Sequence, residues 1–281
     1  MLSKYSMNKS NSQNSLVSKN FIKKFNQQVT LNDFNILINK RLKEFNGSSE
    51  TTRAISFNQW LAGLIDAAGC FYISKLNCVS CELTLSGREL SALFKIKRVF
   101  GGSISKRLNT KSYRWRLHKK EQLINLLHAL NGFIYLKVDV FKKVLSLFNI
   151  EFKSFDFSTN NAWLSGFFEG DGYININRSN FQIVFSVSQK NRTVLDLIQK
   201  HFHGHIIDDS WKGYTWYVSS KDDLIFLFEY FTLYPFYSNK NSDIITAKRF
   251  FRYKLQNYHL DTAKRSLLIH CIDLFQERKK I

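Results

Sequence analysis

Two short stretches of the sequence repeat one pattern, once in each half of the chain. Residues 60–69 read WLAGLIDAAG and residues 163–172 read WLSGFFEGDG. Both begin with Trp-Leu, a small residue and Gly, continue with two large apolar residues, an acid and a small residue, and end in Gly. The residue before the final Gly is Ala68 in the first stretch and Asp171 in the second. Such a duplication predicts a chain that folds as two similar halves.

The segments that follow the two stretches also correspond to each other. Residues 81–104 and 182–206 both show alternating apolar residues, then apolar residues at helical spacing, then Gly and a short strand pattern. Residues 113–133 and 214–236 both continue as a strand followed by an amphipathic helix. The predicted fold class is therefore α+β, with two pseudo-symmetric αββαββα halves. One further helix is expected in each half, near residues 138–148 and 242–255.

The predicted organisation has four segments. Residues 1–32 contain no Asp or Glu and are rich in Ser, Asn and Lys. A transit peptide and a mobile basic arm both fit this composition. The segments are a basic N-terminal arm (1–55), a first half (56–148), a linker (149–160) and a second half with C-terminal helices (161–281).

The charge of the chain indicates a polyanionic partner. Lys and Arg number 41 against 22 Asp and Glu, which gives a formal charge of +19. Nucleic acid and an anionic membrane surface would both attract such a protein. No apolar run approaches the roughly 18 residues that a spanning helix needs, so we expect nucleic acid and no membrane. The abundance of Phe, Ile, Lys and Asn, with a single Pro, suggests an AT-rich genome and an organelle, above all the mitochondrion.

Alternation along the predicted strands places polar side chains on one face of each sheet. Arg114 and Arg116 lie opposite Tyr113, Trp115 and Leu117 in the pattern. Polar faces of this kind can contact phosphates and base edges, which predicts a nucleic-acid interface in both halves. The predicted contact residues are Lys106, Arg107, Arg114, Arg116, Asn175, Asn177, Arg178, Gln182, Lys190 and Lys212.

The two repeated stretches are predicted to be helices that pack against each other. Ala62-Gly63 and Ser165-Gly166 provide small residues at the same register, so two helix backbones can approach closely there. Gly69 and Gly172 are expected to end the helices in the left-handed conformation. Asp171 then lies at a helix C-terminus, where the dipole disfavours a carboxylate unless a cation compensates it. Two mirrored carboxylates would suit a hard divalent metal.

These stretches, with their strand and helix context, resemble the LAGLIDADG homing endonucleases of the two-motif, single-chain, organellar intron-encoded type. The resemblance covers roughly residues 57–255. It implies that the two motif helices form the interface between the halves and that the two antiparallel sheets form a saddle on DNA. It also implies that the last acid of each motif binds Mg²⁺, which makes Asp171 the metal ligand and Ala68 a lost ligand position. Asp66 lies about 200° away around the helix and is not expected to replace it.

The resemblance assigns three further catalytic positions. Lys240 and Lys137 fall where a basic residue assists near the scissile phosphate, and Gln189 falls where a polar residue organises water. The matching first-half position for Gln189 is read as Gly87, with Arg88 beside it. The first half is therefore expected to keep its scaffold and to have lost catalytic groups.

The resulting functional hypothesis is a site-specific nucleic-acid-binding protein whose Mg²⁺-dependent phosphodiester cleavage is impaired by Ala68. Cleavage of a single strand by the Asp171 side of the site stays an open alternative. The alternatives are a group I intron maturase and an RNA-binding scaffold in an organellar ribonucleoprotein such as a ribosome. A monomer with an internal pseudo-dimer is the expected state.

Overall fold

A computed structural model describes residues 30–209 and 213–280. Within them, each half has one four-stranded antiparallel sheet covered by helices, so the α+β prediction is confirmed. The elements before the linker are α1 (Leu31–Asn46), α2 (Glu50–Ala68), β1 (Gly69–Ile73), β2 (Val79–Ser86), α3 (Leu90–Phe100), β3 (Ser103–Lys106), β4 (Ser112–Leu117), α4 (Lys120–Leu130) and α5 (Val138–Leu147). Those after it are α6 (Trp163–Asp171), β5 (Gly172–Ile176), β6 (Ile183–Gln189), α7 (Thr193–Phe202), β7 (His205–Asp209), β8 (Gly213–Val218), α8 (Lys221–Leu233), α9 (Lys240–Leu255) and α10 (Arg265–Lys280).

The two sheets have the same strand order and the same register. Sheet one runs β1-β2-β4-β3 and sheet two runs β5-β6-β8-β7. Trp115 of β4 pairs with Leu83 of β2, and Trp216 of β8 pairs with Val187 of β6. Both tryptophans are fully buried under the helices. This shared register fixes which residues of the two halves are structurally equivalent.

The motif helices α2 and α6 pack against each other at their glycines, as the sequence predicts. A Cβ atom on Gly63 would lie 1.9 Å from the carbonyl oxygen of Trp163. A Cβ atom on Gly166 would lie 1.7 Å from the carbonyl oxygen of Trp60. Because real atoms cannot approach this closely, only glycine permits this contact between the two backbones.

Each motif helix also anchors the other half through a buried acid. The Trp60 indole N–H donates to Glu169 over 2.6 Å, and the Trp163 indole N–H donates to Asp66 over 3.0 Å. Asp66 also accepts from the backbone N–H groups of Tyr135, Leu136 and Lys137. Both acids are therefore structural, and the Asp66 carboxylate is buried and bonded to these donors.

The glycines that end the motif helices do not have the predicted conformation. Gly69 has φ −96° and ψ 171°, and Gly172 has φ −78° and ψ 149°. Both are extended because they begin strands β1 and β5 directly after the helices. Glycine is needed for space instead, since a Cβ atom on Gly172 would lie 2.3 Å from the Phe168 ring.

The predicted N-terminal arm is wrong for residues 31–55. Helix α1 begins with a capping box in which Thr30 and Asp33 bond each other's backbone N–H groups. Phe34 of α1 is buried against Phe228 of α8 and Phe251 of α9, at ring-centroid distances of 6.0 Å and 5.3 Å. Residues 50–55 are the first turns of the motif helix α2. Residues 1–29 lie outside the described part of the chain.

The linker and the C-terminal helix complete the second half. Phe157 of the linker packs on Trp163 with ring centroids 5.3 Å apart, which fixes the entry into α6. Helix α10 buries Leu268, Cys271, Ile272 and Phe275, and it packs on α9. Among the described residues, no helix combines the length and the apolarity that crossing a membrane requires.

Candidate functional site

Asp171 lies at the last position of α6, beside the start of β5. Its Oδ2 accepts a hydrogen bond of 2.6 Å from the side-chain amide of Gln189 at the end of β6. Burial raises the pKa of Asp171, while Gln189 and the positive charges of Lys137 and Lys240 act to lower it. The predicted group of Asp171, Gln189 and the two lysines is therefore brought together at one place.

The two lysines cap the C-terminal ends of the motif helices. Lys240 Nζ donates to the carbonyl oxygens of Glu169 (2.7 Å), Gly172 (2.8 Å) and Phe168 (3.3 Å). Lys137 Nζ donates to the carbonyl oxygens of Ile65 (2.7 Å) and Asp66 (2.5 Å). They supply the cations that a carboxylate at a helix C-terminus requires. Burial lowers the pKa of both amines. A contact between either lysine and a phosphate stays a prediction.

The capping geometry predicts a stability role for Lys240. Replacing Lys240 by Met would remove the ammonium donor that binds three carbonyl oxygens at the junction of α6 and β5, so we expect the free energy of unfolding to fall by about 2 kcal/mol. Chemical denaturation measures this change. Lys143→Met on the exposed surface of α5 is the control and should change stability by less than about 0.5 kcal/mol. Equal stability of the two variants would show that Lys240 does not stabilise the fold.

The first half lacks both members of the hydrogen-bonded pair formed by Asp171 and Gln189 in the second half. Ala68 corresponds to Asp171, as predicted. Gln189 pairs with Tyr214, and the equivalent Tyr113 pairs with Leu85, so Leu85 corresponds to Gln189. The assignment of this position to Gly87 was wrong, because Gly87 lies beyond the end of β2, in a 3₁₀ turn. Arg88 in that turn forms an ion pair of 2.9 Å with Asp243 of α9.

The residues present do not fit a metal centre built on two carboxylates. Asp171 offers one carboxylate, and the matching side of the site is a methyl group at Ala68. Between residues 30 and 280, leaving out 210–212, no cluster of three or more His, Cys, Asp or Glu residues could hold a metal ion. The site keeps its cations and one carboxylate, which is a poor environment for a tightly held divalent ion.

The polar face of the first sheet is arranged around a glutamate that the sequence pattern did not reveal. Glu82 pairs with Arg116 across the strands, and its carboxylate lies 3.1 Å from both Arg114 and Arg116. The two arginines share one face, as predicted, with Trp115 and Leu117 buried on the other. Glu82 holds the guanidinium groups in place and reduces the net charge they present.

The other predicted contact residues fall into three groups. Lys106, Arg107, Asn175 and Lys190 are exposed. A second group is engaged within the protein: Asn177 accepts from Ser179 in a turn, Gln182 accepts from Asn180, and Arg178 forms an ion pair of 2.5 Å with Asp273 of α10. Lys212 lies outside the described residues.

Comparison with known proteins defines the family. The sequence profile of the LAGLIDADG endonuclease family matches residues 61–151 and 164–251, which together make up well over half of the chain. The chain belongs to the LAGLIDADG endonuclease family. Its two profile matches coincide with the two structural halves, and each includes one motif helix and one sheet.

Several relatives are described as intron-encoded. The chain is 34% identical over 265 residues to "Intron-encoded RNA maturase bI4" of Saccharomyces cerevisiae, covering 87% of this chain and 42% of that protein. It is 35% identical over 199 residues to "Intron-encoded DNA endonuclease ai2b" of Dictyostelium discoideum, covering 66% of this chain and 75% of that protein. The chain spans less than half the length of the yeast relative.

A solved structure of similar fold is the I-LtrWI LAGLIDADG homing endonuclease bound to its target DNA. It matches with a TM-score of 0.65 and 17% identity, covering 78% of this chain and 97% of that protein. The LAGLIDADG fold therefore accounts for most of the molecule.

Proposed function

We propose that this LAGLIDADG protein binds nucleic acid across its two sheets and does not carry out efficient double-strand cleavage. The observation that carries the proposal is the joint replacement of an Asp-Gln pair by Ala68 and Leu85, while the interface glycines and both capping lysines are kept. Loss of one metal-binding carboxylate removes charge stabilisation at the phosphate, which costs orders of magnitude in rate. The exposed basic residues are unaffected by this loss.

RNA maturation is the second candidate function. It is favoured by the 34% identity with an intron-encoded RNA maturase over 87% of this chain. Splicing assistance requires binding of structured RNA and needs no metal-dependent cleavage by the protein. An RNA-binding scaffold in an organellar ribonucleoprotein shares these requirements. The intron-encoded relatives and the amino-acid composition support an organelle, and the mitochondrion is our proposed location, with the protein as a monomer.

The proposal predicts strong salt dependence of nucleic-acid binding. Each phosphate contact by Lys or Arg should contribute about −0.9 to the slope of log K against log salt on duplex DNA. We expect a slope steeper than about −3 for a charged saddle of this kind. Fluorescence anisotropy with a DNA duplex and a structured RNA measures it, and sequencing of the nucleic acid that co-purifies separates DNA, intron RNA and ribosomal RNA. Affinity that stays flat across salt would contradict the proposal.

A further inference from the structure

Two adjoining cavities lie beside the candidate site, where the strand ends of the first half meet helices of the second half. The first has a volume of about 380 Å³ and contains four cationic side chains in its wall, from Arg88, Lys106, Lys111 and Arg278. None of the described residues that line it is acidic. The second shares Arg88, reaches Gly172 next to Asp171, and has Glu89 and Asp243 among its lining residues. Arg88 is already paired with Asp243 at 2.9 Å, so among the described residues the uncompensated positive charge of the first cavity comes from Lys106, Lys111 and Arg278.

The cations of the first cavity have unused capacity to bind an anion. Lys106 and Lys111 are exposed and make no ion pair with any residue in the described part of the chain. Arg278 donates from one terminal nitrogen to the hydroxyl of Thr246. Its Nε is buried and has no hydrogen-bond partner among the described residues. Such groups are stabilised by an acceptor with negative charge.

The charge of this region differs between the halves. Lys106 pairs with Tyr113, and the structurally equivalent Tyr214 pairs with Asp208, so Asp208 takes the place of Lys106 in the second half. The next residues along the strands are Arg107 and Asp209. The half that has lost its metal-facing carboxylate is therefore the half whose outer strand carries positive charge.

One wall of the cavity comes from outside the family profile. The second profile match ends at residue 251, whereas Arg278 belongs to helix α10 (Arg265–Lys280). Helix α10 packs on α9 and delivers Arg278 to the same cavity as Arg88 and Lys106 of the first half. The neighbouring Lys279 packs over the Tyr173 ring at 3.7 Å, which fixes the end of the helix beside β5. Among the described residues, Arg278 is thus the one lining residue of the cavity that lies outside the family profile.

We infer that this cavity binds a phosphate group of the nucleic-acid backbone without a metal ion. It would anchor the strand on the first-half side, where Ala68 leaves no carboxylate to hold a divalent cation. This inference rests on the proposed nucleic-acid binding. Side-chain ammonium and guanidinium groups neutralise the phosphate here, and an anchor of this kind holds the backbone in register without reading base sequence.

The test compares two double variants in EDTA, which removes metal contributions. Lys106→Gln/Lys111→Gln changes two exposed cavity lysines, and Lys143→Gln/Lys153→Gln removes the same charge from exposed positions of α5 and the linker. The probes are a random-sequence DNA duplex and an RNA duplex of equal length. We expect the cavity variant to bind about tenfold more weakly than the control variant, with the salt slope reduced by about 1.

Arg278→Gln provides an independent check from the other half of the protein. It should weaken binding in the same direction, and circular dichroism verifies that α10 stays folded. Affinity of Lys106→Gln/Lys111→Gln equal to that of the control variant would overturn the cavity assignment while leaving the proposed function intact. An unmodified chain that binds neither probe in a salt-dependent way would overturn both.

Discussion

Restoring the polar pair in the first half, by Ala68→Asp together with Leu85→Gln, should raise Mg²⁺-dependent double-strand cleavage by at least about 100-fold. The unmodified chain offers one carboxylate, Asp171, held by Gln189 over 2.6 Å. The double variant would place the same two groups at the equivalent positions of the other half. Ala68→Asp alone should gain less, because a carboxylate beside apolar Leu85 would lack the amide that Gln189 provides.

Two measurements check this expectation. Cleavage is followed on duplexes selected for binding from a random library, with linear product as the readout. Metal binding is followed separately by paramagnetic resonance of Mn²⁺, which does not depend on knowing the target. Asp171→Asn in the restored chain is the control and should abolish the gain. Double-strand cleavage by the unmodified chain at the rate of the restored chain would show that Ala68 does not limit the reaction.

Gly166→Ala should prevent the native packing of the two halves and lower the free energy of unfolding by more than about 4 kcal/mol. The added methyl carbon would lie 1.7 Å from the carbonyl oxygen of Trp60, and the atom it meets belongs to a backbone that cannot rotate away. The overlap between the added methyl group and the Trp60 carbonyl can be relieved only if α2 and α6 move apart. Separation would also stretch the bonds from Trp60 to Glu169 and from Trp163 to Asp66.

Thermal and chemical denaturation measure the loss, with near-ultraviolet circular dichroism reporting on the interface tryptophans. Gly87→Ala is the matched control. Its added carbon would meet the Lys111 carbonyl oxygen at 3.4 Å, an ordinary contact, so the stability should change by less than about 1 kcal/mol. Similar stability of the two variants would mean that the motif helices are not held in close contact.

The sequence was sufficient for the fold because the strongest signals were local and repeated. The small residues at Gly63 and Gly166 predicted the helix contact, and alternation around Trp115 predicted the sheet faces. The equivalence of Leu85 and Gln189 was missed because the sequence comparison matched Gln189 with Gly87 instead. Such a shift at the end of a strand cannot be detected without the pairing register. Glu82 was missed for the same reason, since its partners Arg114 and Arg116 lie on another strand. Helix α1 had a local signal, the Thr30–Asp33 capping box before periodic apolar residues.

The placement of helix α1 determines the order in which the chain can fold during synthesis. Phe34 lies near the start of the described chain, yet its ring partners are Phe228 and Phe251. The chain must leave the ribosome at least as far as Phe251 before both contacts can form, and such long-range contacts form late and slowly. The first half can collapse on its own sheet while it is being made. The two halves already meet at the contact of α2 with α6, and the docking of α1 on α8 and α9 adds a second connection after the second half has been translated.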